Sequence, residues 1–167
     1  MTEETRACPT LRFDPEGFDR MQRLAMYEIA SAMLDLASDV HRTLGLRPDA
    51  CQVYMLIAVS AVQRYARAPE AAHVGADPLP AERIGTISRR RLADASGLPR
   101  ETVARHVRNL IERGLVIERG RGQLTTPPGL LRDLAPTGLL DRLARRSAAL
   151  ANALARLEVL VPAERRD

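Results

Sequence analysis

Aromatic residues are scarce in this chain. It has two Phe, three Tyr and no Trp, 3% of 167 positions, while hydrophobic residues make up 46%. An apolar fraction built from Ala and Leu rather than from rings favours helix over sheet. Lysine is absent, so every one of the 25 basic residues is Arg. Base composition of the gene accounts for that as well as function does, and the placement of the charges is more informative. There are two cysteines, Cys8 and Cys51, with no paired-ligand spacing. That excludes a disulfide framework and makes a reducing cytoplasm the expected compartment. A redox switch would need an exposed thiol with a lowered pKa. The longest apolar run, Val53–Val59, is far too short to span a bilayer, so no membrane partner is expected. The acidic start Met1-Thr2-Glu3-Glu4 has no signal-peptide character. His41, His73 and His106 have no nucleophile, acid or ligand at useful spacing. No catalytic residue, metal site or cofactor is therefore expected, and the chain is read as a non-enzyme.

What the chain does have is concentrated between Ser88 and Gln123. A short helical pattern, Arg89–Ala95, meets a turn at Ser96-Gly97-Leu98, and a second helical pattern covers Pro99–Arg113. Ala93 is small where two helices would cross. Gly97, four residues on, stands where the turn needs φ > 0. Leu92, Leu98, Val103, Val107, Leu110 and Ile111 form an inward face at helical spacing. Pro99 suits a first helical position, and Gly114 a helix stop. A strand pattern from Leu115 to Glu118, the tip Arg119-Gly120-Arg121-Gly122, and a second strand over Gln123–Thr126 complete a hairpin. The order helix, turn, helix, hairpin is that of a winged helix-turn-helix.

Charge supports a duplex partner. Between Arg83 and Gly122 ten arginines face only Asp94, Glu101, Glu112 and Glu118, an excess of six. The net charge is +4, so the rest of the chain is slightly acidic and the basic excess is local. Arg100, Glu101, Thr102, Arg105, His106 and Asn109 lie on the outward face of the second helix, suited to base edges and phosphates in a major groove. Ser88 is the expected cap of the first helix. Arg89 and Arg90 stand at that helix's N-terminus, where a cation is unfavourable and a phosphate would explain it. Arg119 and Arg121 on the tip can reach backbone or minor groove.

The flanks read as follows. Residues 1–17 are expected to be a flexible arm. Residues 18–68 hold two helices, Phe18–Leu44 and Asp49–Ala68, with Asp49 as N-cap of the second. Residues 69–82 form a Pro- and Gly-containing loop, and Arg83–Ile87 is a strand candidate. The winged region covers 83–128. Residues 129–167 hold a turn broken by Pro136 and a helix capped by Thr137 that runs to about Leu160. The apolar stripe Met26, Ile29, Ala30, Met33, Leu36, Ala37, Val40, Leu44 and the stripe Leu139–Val159 exceed what one small domain covers. They are expected to pair with each other, within the chain and with a second copy. Met26, Met33 and Met55 line an effector pocket or simply fill core or interface.

The fold expected is mainly α with a small β-wing, a winged helix-turn-helix flanked by N- and C-terminal dimerisation helices. In layout the chain resembles the MarR family of transcription regulators. The motif RLADASGLPRETVARHVRNLIERGLV lies mid-chain, between two upstream helices and a long terminal one. Leu124-Thr125-Thr126-Pro127-Pro128-Gly129 is similar to that family's exit from the wing. The wing is shorter than the family's and lacks its acidic-x-Arg signature. The resemblance implies a homodimer on a pseudo-palindromic operator in double-stranded DNA, with a small-molecule effector as a further partner. A winged-helix protein-interaction module without sequence-specific DNA binding is the alternative.

Overall fold

The computed structural model describes residues 10–66, apart from the side chains of Arg64 and Tyr65, and residues 83–163. The expected loop at 69–82, Ala68, Cys8 and His73 lie outside the described residues. The chain compacts into two units, Met1–Leu36 with Arg142–Asp167, and Ala37–Asp141. These cut the chain at other places than the segments 18–68, 83–128 and 129–167.

In the first unit, β1 (Leu11–Phe13) pairs antiparallel with β5 (Leu160–Pro162), Arg12 opposite Val161. The expected arm over 1–17 is thus corrected from Leu11 onward. Helix α1 begins at Pro15, not at Phe18, continues to Leu44, and kinks at Met21. Asp14 starts it: its carboxylate accepts from the Gly17 amide at 2.8 Å, and its own amide donates to the Val159 carbonyl at 2.9 Å. Helix α6 runs from Leu139 to Arg156, and Thr137 accepts from the Leu139 amide at its start, as expected. Its end is corrected from Leu160 to Arg156. Glu158 adopts φ 58°, the Val159 amide returns to the Leu154 carbonyl at 2.9 Å, and the chain leaves as β5. The core here is small. Ala25, Leu154 and Val159 are buried, with Phe18, Ile29, Leu150, Leu157 and Leu160 packed around them. The expected pairing of the first helix with the last is thus present within the chain.

The second unit holds the larger core. Helix α2 (Pro48–Ala66) starts with Pro48 inside it, which moves Asp49 from the expected cap into the first turn. Val53, Tyr54, Ile57 and Ala61 are its buried face. It packs against α3 (Arg89–Ser96) and α4 (Arg100–Glu112). A three-stranded sheet, β2 (Ile87–Ser88), β3 (Ile117–Arg119) and β4 (Gln123–Thr125), has the order β2-β4-β3, with Leu124 opposite both Ile87 and Glu118. Gly85 passes so close to α2 that a Cβ would lie 2.3 Å from the Ser60 carbonyl oxygen. Its amide donates to the Ala61 carbonyl, and its carbonyl accepts from the Thr125 hydroxyl at 2.8 Å. That contact threads the chain between α2 and β4. A five-residue helix, α5 (Leu130–Leu134), and a 3₁₀ turn containing Pro136 follow the sheet. Among the described residues, no helix is long and apolar enough to cross a membrane.

Candidate nucleic-acid interface

Local sequence builds α3 and α4 much as the spacing predicts. Ser88 accepts the Arg91 amide at 3.3 Å and caps α3. Gly97 adopts φ 67° and ψ 7° and returns its amide to the Ala93 carbonyl, which closes that helix and turns the chain. Pro99 is the residue before α4, with φ −56°, rather than its first helical residue. The face of α4 made by Val103, Val107 and Leu110 is at most 1% exposed, and Leu92 of α3 is wholly covered. Burying four such side chains fixes the rotation of α4 about its axis, at about 1.5–3 kcal/mol each. That rotation leaves Arg100, Glu101, Arg105, Arg108 and Asn109 exposed, and Thr102 half-buried. A helix about 10–12 Å across fits a major groove about 12 Å wide.

His106 is less outward than its place on the helix suggests. It is half-buried, and its Nε2 is shielded from solvent with no hydrogen-bond partner among the described residues. With Arg105, Asn109 and Arg113 it lines a groove of about 520 Å³ that is also lined by Arg47 and Asp49. Sequence reasoning missed Arg47. A cation directly before the Pro48-Asp49 helix start was the available signal, but only the packing of α2 on α4 brings it beside Arg105 and Asn109.

Three of the ten arginines in the basic segment, Arg89, Arg113 and Arg119, have partners within the chain. Arg113 donates to the carbonyls of Leu44, the last residue of α1, and of Gly45, the latter at 3.3 Å. Its role is to satisfy a helix end. Arg89 forms a two-pronged pair with Glu118 of β3, Nη1 to Oε1 at 3.0 Å and Nη2 to Oε2 at 2.7 Å. Arg90 and Arg91 are exposed. The expectation of a phosphate at the start of α3 is therefore met at Arg89 by a carboxylate of the same chain.

The wing is shorter and later than its apolar pattern implied. The amides of Leu115 and Val116 both return to the Leu110 carbonyl, so the strand opens only at Ile117. Arg119 faces Gln123, and Gly120-Arg121-Gly122 forms the tip. Arg121 is exposed with φ 66°, a left-handed conformation that a non-glycine residue adopts at some cost. Arg119 is half-buried and engaged within the chain.

The methionines, read from the sequence as core or interface or as a pocket lining, do not fill core. Met26, Met33 and Met55 are 40–65% exposed, and none lines either cavity described here. An apolar cavity of about 300 Å³ lies instead at Val59, Val62, Ile84, Pro128, Leu130 and Leu131. Cys51 is buried, and burial pushes its thiol pKa up, the opposite of what a redox-sensing thiolate needs.

Residues 85–117 match the family described as winged helix-turn-helix DNA-binding. Neither the curated proteins nor the solved structures contain a match to this chain. The matched segment begins at Gly85, whose close approach to α2 sets the sheet, and ends at Ile117, the first residue of β3. That segment is similar to a winged helix-turn-helix DNA-binding domain, and such a domain indicates a DNA-binding regulator.

Proposed function

We propose that the chain regulates transcription as a homodimer that reads a pseudo-palindromic operator in double-stranded DNA, in the manner of the MarR-like layout, in the cytoplasm. The observation that carries the reading is α4. Its buried Val103, Val107 and Leu110 hold a charged and amide-bearing face, Arg100, Arg105 and Asn109, toward solvent. Arginine and asparagine are the side chains that bond guanine and adenine edges in two-pronged fashion. Thr102 and Glu101 add shorter acceptors at the end of the helix that enters the groove first. Arg47, Arg90 and the wing-tip Arg121 supply backbone contacts that position without specifying.

Dimerisation is supported by the surface of α1. Met26, Tyr27, Met33 and Leu34 are 49%, 67%, 65% and 71% exposed along one side of that helix, away from buried Ala25. Two copies joined there would hold two recognition helices for two half-sites about one DNA turn apart. The effector is assigned to the apolar cavity at Val59 and Leu131, and a ligand there regulates only by preferring one spacing of the two helices.

Selection of bound sequences from a random duplex pool tests the reading, and Arg105→Ala sharpens it. The variant should lose about 1–3 kcal/mol on the selected site, roughly five- to 160-fold in affinity, with little change on random DNA. Equal losses on both would make Arg105 a phosphate contact. Failure of the pool to converge would remove sequence specificity.

A further inference from the structure

The pair between Arg89 and Glu118 joins the first residue of α3 to the first strand of the wing. Both oxygens of one carboxylate meet both terminal nitrogens of one guanidinium, at 2.7 and 3.0 Å. This is the fork-to-fork geometry that arginine also uses for phosphate. The register explains why the two meet. Ser88, immediately before Arg89, is opposite Gln123, and Glu118 is opposite the next residue, Leu124. Ser88 already caps α3 with its hydroxyl. The carboxylate therefore serves the cation, and adds a negative charge near the positive end of the helix.

We propose that Glu118 is an internal stand-in for a DNA phosphate, holding Arg89 out of loose, non-specific complexes. The inference rests on the DNA-binding reading above. Arg89 and Glu118 are 44% and 38% exposed, so solvent and salt reach the pair. A pair so exposed is weak and can be exchanged. A phosphate pressed against the start of α3, with α4 seated in the groove, replaces both carboxylate oxygens at once. A duplex held loosely at a distance does not. The carboxylate thereby subtracts one cation from the charge that binds any duplex, and it tethers β3 to α3 while the site is empty.

The test is a cycle of four full-length proteins, wild type, Glu118→Gln, Arg89→Ala and the double variant, titrated with a duplex of random sequence from 50 to 200 mM salt. Arg89→Ala alone should leave the salt slope unchanged, with a small loss of affinity from the carboxylate it leaves unpaired. Glu118→Gln should steepen the slope by about 0.9, the increment for one added phosphate contact, which changes the loss over that salt range by about threefold. The double variant should return to the wild-type slope, which separates release of Arg89 from simple removal of a negative charge. A flatter slope in Arg89→Ala alone would show Arg89 already on a phosphate and overturn the proposal. Equal or weaker binding by Glu118→Gln would also overturn it, leaving the pair as a structural tether. Phenylglyoxal labelling without DNA, read by peptide mass spectrometry, is independent of binding. Arg89 should react more slowly than exposed Arg90 in wild type and at a similar rate in Glu118→Gln. Equal rates in wild type would overturn the sequestration. Correct labelling with no duplex bound by any of the four proteins would sink the DNA-binding reading itself, and the proposal with it.

Discussion

The two compact units differ in how far each completes its own core. In Ala37–Asp141, side chains from α2, α3, α4 and the sheet are buried together. Val53, Ile57, Leu92, Val107, Leu110 and Leu124 have no measurable exposure. In the other unit the buried side chains Ala25, Leu154 and Val159 form a small cluster, while Phe13, Leu24, Tyr27, Met33 and Leu34 are all more than half exposed. The difference teaches which part completes its core and which part leaves apolar side chains in solvent. A helix side that shows Met, Tyr and Leu together is the kind of contiguous apolar patch that marks an interaction site.

The largest effect that would sharpen the contrast is a cavity in the finished core. Leu110→Ala should lower the stability of the folded chain by about 2–5 kcal/mol, read by denaturant midpoint. Leu34→Ala, which empties no core, should stay within about 0.5 kcal/mol in the same measurement at concentrations where the protein is monomeric. Similar losses from both would show that the α1 surface is covered in the monomer and would break the comparison.

Next in size is association. Replacing Met33 and Leu34 together with Glu should raise the dimer dissociation constant at least about a hundredfold, roughly 2.7 kcal/mol, measured by sedimentation or light scattering. Far-ultraviolet circular dichroism should not change. A wild-type chain that is monomeric at micromolar concentration would refute the proposed dimer.

The smallest effect concerns pH. Burial pushes the Tyr54 hydroxyl up to about 12, with the charge of Cys51 adding in the same direction. Since the ordinary value is about 10, the folded state holds this proton more tightly than the unfolded state does. Its contribution is fully present below pH 10 and is lost as pH rises through 12. On the order of 2 kcal/mol of stability should disappear across that window. Tyr54→Phe should remove most of the loss, as seen in thermal midpoints against pH. An unchanged alkaline slope in the variant would assign the loss to other groups.

The interface was legible where its signals are local. Val103, Val107 and Leu110 recur at helical spacing, and Pro99 and Gly114 bracket them, so α4 lies within a residue of its expected limits at each end. Ser88 and Gly97 act within four residues of themselves, and the structure has both acting as expected. The wing was displaced because the Leu110 carbonyl recaptures two amides, a competition that strand propensity does not register. Which cations were already engaged was not legible at all. Arg113 and Arg89 look like any other arginine of a basic segment. Their partners, the Leu44 and Gly45 carbonyls and the Glu118 carboxylate, are between 29 and 69 positions away.

By itself, then, the sequence determined the helix-turn-helix order, the buried face of α4, the cap and the left-handed turn. Those follow from side-chain periodicity and from φ preferences that operate over one or two turns of chain. Tertiary structure alone decided three further things. It paired Leu11–Phe13 with Leu160–Pro162, across nearly the whole chain, where no local signal exists. It divided the α1 stripe, burying Val40, half-burying Ile29 and Leu36, and leaving Met26 and Met33 exposed. It also clasped Arg89 with Glu118, because the register of β4 between β2 and β3 brings the two together. Charge and hydropathy are carried by single residues, but whether either is satisfied depends on which distant residue the fold sets beside it.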